Sequence, residues 1–316
     1  MKVSICITVK NEEKTISRLL DSLREQTKKP GEIVIVDGGS TDKTIEIIRH
    51  YQKKNKSIKL LVEKGGIAHG RNTAIDIAKY PAIAQTDAGC TANPDWLEKI
   101  IQPLEHGAIG VSAGFYVMRA DTSLQKAMNL YLGIHPKRFS SVSFLPSARS
   151  VAFKKEVWEI VGGYDENLEK GGEDTKFFIS CVKKKIRIAR VGDAKVIWEE
   201  IKDLTLQTFF LKIFNYAKGD AKTKIWIYPI PGIMSHNIKI LLIFIRYFLG
   251  MVLLIYSFTT PPLFHLFAGL FLLYIFWSIW KFRDIVNLWR VRVWIPVLQI
   301  ISDIAVINGF ASGLIK

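Results

Sequence analysis

The polar side chains best placed for chemistry in this chain each follow an apolar run or a pair of glycines. Asp37 stands in Val36-Asp37-Gly38-Gly39-Ser40-Thr41-Asp42, and Asp87 in Thr86-Asp87-Ala88-Gly89-Cys90. Arg71 and Asn72 follow Gly65-Gly66-Ile67-Ala68-His69-Gly70, a loop whose glycines let backbone approach a ligand closely. Glu173-Asp174 follows Gly171-Gly172, shortly after Gly162-Gly163-Tyr164-Asp165-Glu166. Transfer of a group from a nucleotide diphosphate donor needs a polar group for the base, positive charge or a metal for the diphosphate, and a carboxylate to deprotonate an acceptor hydroxyl. The chain offers each in order. Taken singly, every one has a plainer reading: an aspartate after a strand serves turns and helix caps, the role assigned to Asp42, and a histidine beside glycines hydrogen-bonds within its loop.

The elements that must position these residues can be read from periodicity. Val3–Val9 predicts a first strand, Lys14–Glu25 a helix, and Glu32–Val36 a second strand delivering Asp37 to its end. Gly38 to Thr41 then predicts a turn and a hydroxyl cap for a helix from about Asp42 to Lys54. Ile83–Thr86 reads as a third strand carrying Asp87 at its carboxyl end, where open α/β sheets bind ligands, and Ala194–Trp198 is strand-like. Up to about Lys224 the alternation of short β-branched runs with amphipathic segments predicts a mainly parallel sheet with crossover helices.

Beyond residue 224 three apolar segments follow, about 238–256, 262–280 and 295–314, each near the length that crosses a bilayer. Arg246 in the first costs about 3 kcal/mol at mid-membrane, and the aliphatic and aromatic residues around it, at about −0.5 kcal/mol each, outweigh it. Asp303 and Asn308 weaken the third segment as a span. The alternative is a helical hairpin buried inside a soluble protein. Lys281, Arg283, Arg290 and Arg292 crowd the loop between the second and third segments, while the Ser257–Pro262 turn is uncharged, which places the basic loop in the cytoplasm. Residues 204–219 show Leu206, Phe209, Phe210, Ile213, Phe214 and Ala217 on one helical face, either an interfacial helix on anionic lipid or a helix packed on its own sheet.

In a chain of 316 residues with formal net charge +15, anionic partners are expected, and the apolar tail favours lipid over nucleic acid. Three widely spaced cysteines, Cys6, Cys90 and Cys181, imply no disulfide framework and a reducing compartment. The amino terminus has no signal-peptide pattern, so the first domain is expected to stay cytoplasmic.

In combination and order these motifs resemble the family-2 glycosyltransferases, over about Val3 to Gly219. The resemblance implies the GT-A nucleotide-sugar-binding fold for residues 1–224, ahead of an all-α membrane region at 225–316. It implies that Thr8, Val9 and Glu12, in the opening motif Ile7-Thr8-Val9-Lys10-Asn11-Glu12-Glu13, line the nucleoside, with Thr8 where a proline is usual. Asp37 would hydrogen-bond the base, Arg71 would lie near the nucleotide, and Asp87 would be the first carboxylate of an Asp-any-Asp element. Asp174 would be the catalytic base, with Glu173 supporting the acceptor site. The stretch from Phe209 to Asp220 is similar to the aromatic and basic segment that some membrane-attached members carry.

Two departures matter. Gly89 replaces the second carboxylate of the Asp-any-Asp element, so a Mg2+ or Mn2+ cofactor would be held mainly through Asp87, with Glu199 or Glu200 as candidates for the vacancy and solvent-facing charge as their plainer reading. The Gln-any-any-Arg-Trp motif of processive synthases is missing, which favours addition of one or a few sugars. The expectation is a multi-pass, membrane-anchored inverting transferase with a cytoplasmic catalytic domain. Its partners are a nucleotide-diphosphate sugar, a hydroxyl acceptor of lipid-linked or cell-envelope type, and the bilayer. Competing readings are a nucleotidyl or phosphosugar transferase acting on a membrane lipid, and a non-catalytic nucleotide-sugar-binding scaffold.

Overall fold

The computed structural model describes residues 1–168, 171–199, 204–224 and 236–315. They form two compact units: residues 1–119 with 139–199, and residues 120–138 with 204–224 and 236–315.

The first unit opens with β1 (Val3–Val9), α1 (Ile16–Arg24), β2 (Glu32–Asp37), α2 (Thr44–Lys54) and β3 (Ile58–Val62). It continues with α3 (Ile67–Asp76), β4 (Ala82–Gln85), β5 (Cys90–Ala92), α4 (Trp96–Glu105) and β6 (Val111–Met118). The chain then contributes α5 (Ser123–Leu132) to the second unit. It returns as β7 (Val151–Lys154), α6 (Lys155–Val161), α7 (Glu173–Lys183) and β8 (Ile188–Trp198).

The sheet order is β3-β2-β1-β4-β7-β6-β8-β5. The β3 to β4 half is parallel, as right-handed crossovers through α1, α2 and α3 require. The other half is mixed: β7 runs antiparallel between β4 and β6, β6 and β8 are parallel, and β5 closes the edge antiparallel to β8. The sheet is thus less uniformly parallel than the sequence pattern implies, because β7 enters after an excursion with no crossover helix of its own. Strands β1, β2 and β4 are buried along nearly their whole length, including Ile5, Val34, Ile35, Ile83 and Ala84, which explains their unbroken apolar runs.

At the start of α2 the expected hydroxyl cap is not formed: the N-cap is Lys43, without a side-chain cap, and Asp42 fastens the turn before it. Asp42 Oδ1 accepts from the Thr44 backbone N–H (3.0 Å) and hydroxyl (2.6 Å), and its Oδ2 accepts from the Glu13 N–H (3.1 Å). The Ser40 and Thr41 hydroxyls turn instead to Asp37 and Asn11.

The second unit gathers α5 with α8 (Leu206–Thr223), α9 (His236–Ser257), α10 (Pro261–Trp280), α11 (Trp289–Arg292) and α12 (Trp294–Leu314). In α8 the stripe Phe209, Ile213, Ala217 and Ala221 is buried, and it packs on α12. Approach there is very close. A Cβ added to Gly309 would meet the Phe214 carbonyl oxygen at 2.2 Å, and one on Gly313 would meet that of Lys218 at 2.5 Å, so this four-residue glycine spacing seats the α8 backbone directly. The apolar stripe on α8 is therefore explained by a helix partner instead of the sheet.

Among the described residues three helices are long and apolar enough to cross a membrane: Ile238–Ser257, Pro261–Trp280 and Trp289–Leu314. Large apolar side chains on the first two, among them Phe248, Met251, Leu272 and Phe276, are more than 60% exposed, which a hairpin buried in a soluble core would not show. The two residues that count against insertion meet each other. Arg246 of α9 donates to Asp303 of α12, whose side chain is 2% exposed and which also accepts from the hydroxyl of Tyr274 at 2.7 Å.

Removing one partner of such a pair strands a charge in an apolar setting, at about 3–5 kcal/mol, whereas replacing both is far less harmful. Asp303→Leu is therefore expected to lower the melting temperature of the detergent-solubilised protein markedly, and Arg246→Leu with Asp303→Leu to recover most of the loss. Additive losses in the double variant would show that the pair is not coupled.

Candidate functional site

A cavity of about 560 Å³ opens at the carboxyl ends of the parallel strands, within the usual range for small-ligand sites. Its wall includes Thr8, Val9, Lys10 and Glu12 after β1, Gly38 after β2, and Lys64, Gly65, Gly66 and Ile67 at the entry to α3. Asp87, Ala88 and Gly89 follow β4, while Arg149 and Trp198 complete it from the mixed half of the sheet. Three cationic side chains against two carboxylates give the wall an excess of positive charge, and the amino-terminal end of α3 adds to it. Such a wall suits an anion.

Of the sequence candidates, Thr8, Val9, Glu12 and Asp87 line this cavity, and Asp37, Arg71, Glu173 and Asp174 lie outside its lining. Asp37 is fully buried and organises the turn after β2. Its Oδ1 accepts from the N–H groups of Gly39 (2.9 Å) and Ser40 (2.7 Å), and its Oδ2 from the Ser40 hydroxyl (2.6 Å). Ser40 Oγ in turn accepts from the Asn11 N–H at 2.8 Å, so Asp37 ties the β2 turn to the one after β1.

Arg71 is 4% exposed and holds two carboxylates at once: Nη2 donates to Asp87 Oδ1 at 3.0 Å and Nη1 to Glu173 Oε1. Burial disfavours its charge, yet the fields of Glu173 and Asp87 outweigh this and raise its pKa. Burial likewise pushes the Glu173 carboxyl up, against the pull of Arg71. Among the described residues Glu173 Oε2 has no hydrogen-bond partner. Asp174, half-buried in the first turn of α7, has Oδ2 3.4 Å from both the Ser147 hydroxyl and the Ala148 N–H.

The neighbour of Arg71 works as a structural knot. Asn72 Nδ2 donates to the Tyr164 carbonyl (2.9 Å) and Glu166 (2.8 Å), while its Oδ1 accepts from Trp158 Nε1 (2.9 Å) and the Tyr164 N–H (2.8 Å). Tyr164 stacks on Phe177 of α7 at 4.4 Å and donates to Gln85 at the end of β4. Arg71, Asp87 and Glu173 are thus positioned by elements already fastened to one another.

Arg149 and Trp198 were not singled out by sequence reasoning. In the antiparallel pairing of β4 with β7, Gln85 faces Val151; two residues further along this register Asp87 comes opposite Arg149. The Arg149 guanidinium lies 4.2 Å from the Trp198 ring and 5.0 Å from that of Tyr116, and its Nε is 3.7 Å from Asp87 Oδ2. Ser150, next in sequence, is fixed by the Trp96 indole N–H (2.9 Å) and donates to the Ala194 carbonyl (2.9 Å). The available signal was an arginine among small residues, Pro146-Ser147-Ala148-Arg149-Ser150, just before an apolar strand.

Glu199, a candidate to fill the place left by Gly89, is 7% exposed and faces Arg18 (3.4 Å) and Arg119 (3.5 Å), so it is neither solvent-facing nor part of the cavity wall. Glu200 lies outside the described residues. No group of three or more His, Cys, Asp or Glu placed to hold a metal occurs among the described residues. Magnesium uses one or two carboxylates together with substrate phosphates and waters, so Asp87 alone fits a cation bound chiefly by the phosphates it accompanies.

His69 hydrogen-bonds within its loop, as expected. Its Nε2 meets Glu63 at 2.7 Å and its Nδ1 meets Glu166 at 3.0 Å, and the ring packs over Gly65. The hydrogen bonds to Glu166 and Glu63 raise its pKa. A raised folded-state value means this contribution is fully present below the ordinary value of about 6.5 and is lost as pH rises through the folded-state value. Hydrogen exchange at residues 63–70, corrected for its intrinsic pH dependence, should therefore report a looser loop as pH rises above about 6.5, by roughly a few-fold because the pair is exposed. His69→Gln should abolish the step; an unchanged step would assign it to another group.

A family model described as Glycosyl transferase family 2 matches residues 4–158, from β1 into α6 and short of Glu173. Glycosyltransferase AglE of Haloferax volcanii is 26% identical over 178 residues, 54% of this chain and 58% of the relative. The poly(ribitol-phosphate) beta-glucosyltransferase of Bacillus spizizenii is 43% identical over 93 residues, 28% of this chain and 15% of the relative. The chain therefore spans less than two thirds of either. Among solved structures, the mannosyltransferase PcManGT from Pyrobaculum calidifontis, in complex with GDP-Man and Mn2+, superposes with a TM-score of 0.56 at 21% identity, over 70% of this chain and 62% of that one. S. aureus TarS 1-349 in complex with UDP-GlcNAc superposes at 0.50 and 21% identity, over 71% and 68%. The match begins in β1 and takes in every strand of the parallel half, so residues 4–158 belong to glycosyl transferase family 2, and the likeness in fold places them in the GT-A architecture.

Proposed function

We propose that the chain transfers a sugar, with inversion, from a nucleotide-diphosphate sugar to a hydroxyl acceptor beside a membrane. The observation that carries this reading is the positively biased cavity at the strand ends, with Asp87 and Arg149 side by side in its wall and Asp174 next to the segment that bears Arg149. The first turns, through Thr8, Val9 and Glu12, take the nucleoside. Asp37, buried behind this wall, acts by fastening the β2 turn that borders the site.

In the transfer the acceptor oxygen attacks the anomeric carbon as the bond from that carbon to the diphosphate oxygen breaks on the opposite face. The nucleoside diphosphate leaves with the bonding electron pair, and the acceptor proton passes to the Asp174 carboxylate. Asp174 suits this role better than Glu173. It is half-buried, with Oδ1 accepting from the Thr175 N–H at 2.7 Å and Oδ2 lying 3.4 Å from its partners, whereas Glu173 is buried against Arg71. Asp87 would be the protein ligand of a magnesium or manganese ion, which would add neutralisation of the leaving diphosphate.

A membrane site fits the three apolar helices, and it makes a lipid-linked or cell-envelope acceptor the natural class. The basic residues Lys281, Arg283, Arg290 and Arg292 favour a cytoplasmic position for their loop and for the catalytic domain.

Two measurements test these statements. Asp174→Asn is expected to keep nucleotide-sugar affinity, read by thermal shift against a panel of nucleotide sugars, while transfer falls by about 10² to 10⁴. Near-normal turnover would remove Asp174 from the base role. For topology, single cysteines replace Asn287 and Thr260, both exposed, in a background lacking the three native cysteines, which are buried. A membrane-impermeant thiol reagent applied to intact cells should label position 260 and spare 287; the reverse pattern would invert the orientation.

A further inference from the structure

The cavity holds a guanidinium where the family resemblance leads one to expect a second carboxylate. The space beside Gly89 is bounded by β8: the Glu199 N–H donates to the Gly89 carbonyl at 2.9 Å, and Cys90 pairs with Trp198. Against that Trp198 ring lies Arg149. The two arginines near Asp87 differ in kind. Arg71 is buried outside the lining and serves as a clamp between Asp87 and Glu173. Arg149 is in the wall itself, 18% exposed, with its guanidinium 4.2 Å from the Trp198 ring and 5.0 Å from the Tyr116 ring, and its Nε 3.7 Å from Asp87.

A guanidinium packed beside two aromatic rings has less rotamer freedom to lose when a ligand arrives, and its planar fork matches two phosphate oxygens. We propose that Arg149 is the diphosphate-binding residue of this cavity, supplying as a fixed guanidinium part of the positive charge that a metal held by two carboxylates would otherwise bring. The assignment rests on reading the cavity as a nucleotide-sugar site. It accounts for Gly89, because a carboxylate there would stand beside Arg149 and weaken the anion site. The Gly89 backbone is outside the positive-φ region, so conformation does not explain the missing side chain.

The test is nucleotide binding by the full-length protein in detergent, by titration calorimetry, with UDP and GDP set against UMP and GMP, each in chelator and in magnesium. The unaltered protein is expected to bind one of the diphosphates in chelator. Arg149→Gln is expected to weaken that diphosphate about tenfold to a hundredfold, the corresponding monophosphate less than about threefold, and to leave diphosphate binding dependent on added magnesium. Arg149→Lys keeps the charge without the fork and should fall between the two, and it carries the test if the glutamine variant does not fold. An unchanged ratio of diphosphate to monophosphate affinity in the variants overturns the role of Arg149 while leaving the nucleotide-sugar reading in place. Failure of the unaltered protein to bind either diphosphate, with or without magnesium, overturns that reading and this assignment with it.

Discussion

The site depends on one buried cation. Arg71 leaves α3 in the interior and holds Asp87, just beyond β4, with one nitrogen and Glu173, at the start of α7, with another. Burying three charges costs several kcal/mol per ion unless geometry and additional hydrogen bonds offset it. The offset here is organisational. Asn72 binds the turn at Tyr164, Tyr164 binds Gln85 and stacks on Phe177, and Arg71 lies 5.5 Å over the Tyr164 ring. Asp87, the one of the two carboxylates that lines the cavity, is thereby held by a scaffold outside the lining.

That arrangement separates two adjacent acidic residues into different tasks. Glu173 faces inward to Arg71, and burial pushes its carboxyl up against the pull of Arg71. Asp174, one residue on and about 100° further around the helix, turns its Oδ2 to the Ser147-Ala148 segment at 3.4 Å, while its Oδ1 accepts from the Thr175 N–H at 2.7 Å. Neighbours in sequence need not share an environment in a helix, and here the difference follows from Gly171 and Gly172, both at positive φ, which set the entry angle of α7.

What was legible in the sequence is what depends on local pattern. The strand β1, the strands β2 and β4 with the aspartates at their ends, the first two crossover helices and the three long apolar helices could all be read from runs of about 5 to 20 residues. Features decided by distant partners were not legible. Arg246 and Asp303 each looked like a flaw in an apolar segment, and only the packing of α9 and α12 in one unit turns two penalties into a pair. The apolar stripe of α8 had no visible partner, because its counterpart is a pair of glycines nearly a hundred residues later, where the absence of side chains is the signal.

Arg149 shows the same limit in its sharpest form. A parallel sheet puts the end of every strand at the ligand-binding edge and the beginning of every strand at the opposite one, so a reading that expects parallel strands searches only after strands. The strand β7 breaks that rule. It enters beside β4 in the antiparallel direction, its first residue opposite the last of β4, so residues just before it share an edge with residues just after β4. Arg149 is brought to Asp87 by that reversal across 62 positions of sequence. The reversal is possible because residues 120–138 leave the first unit and pack in the second, so the chain comes back to the ligand edge without a crossover. One antiparallel strand thus supplies the positive charge that the parallel half of the sheet, with a glycine at position 89, does not gather through a second carboxylate.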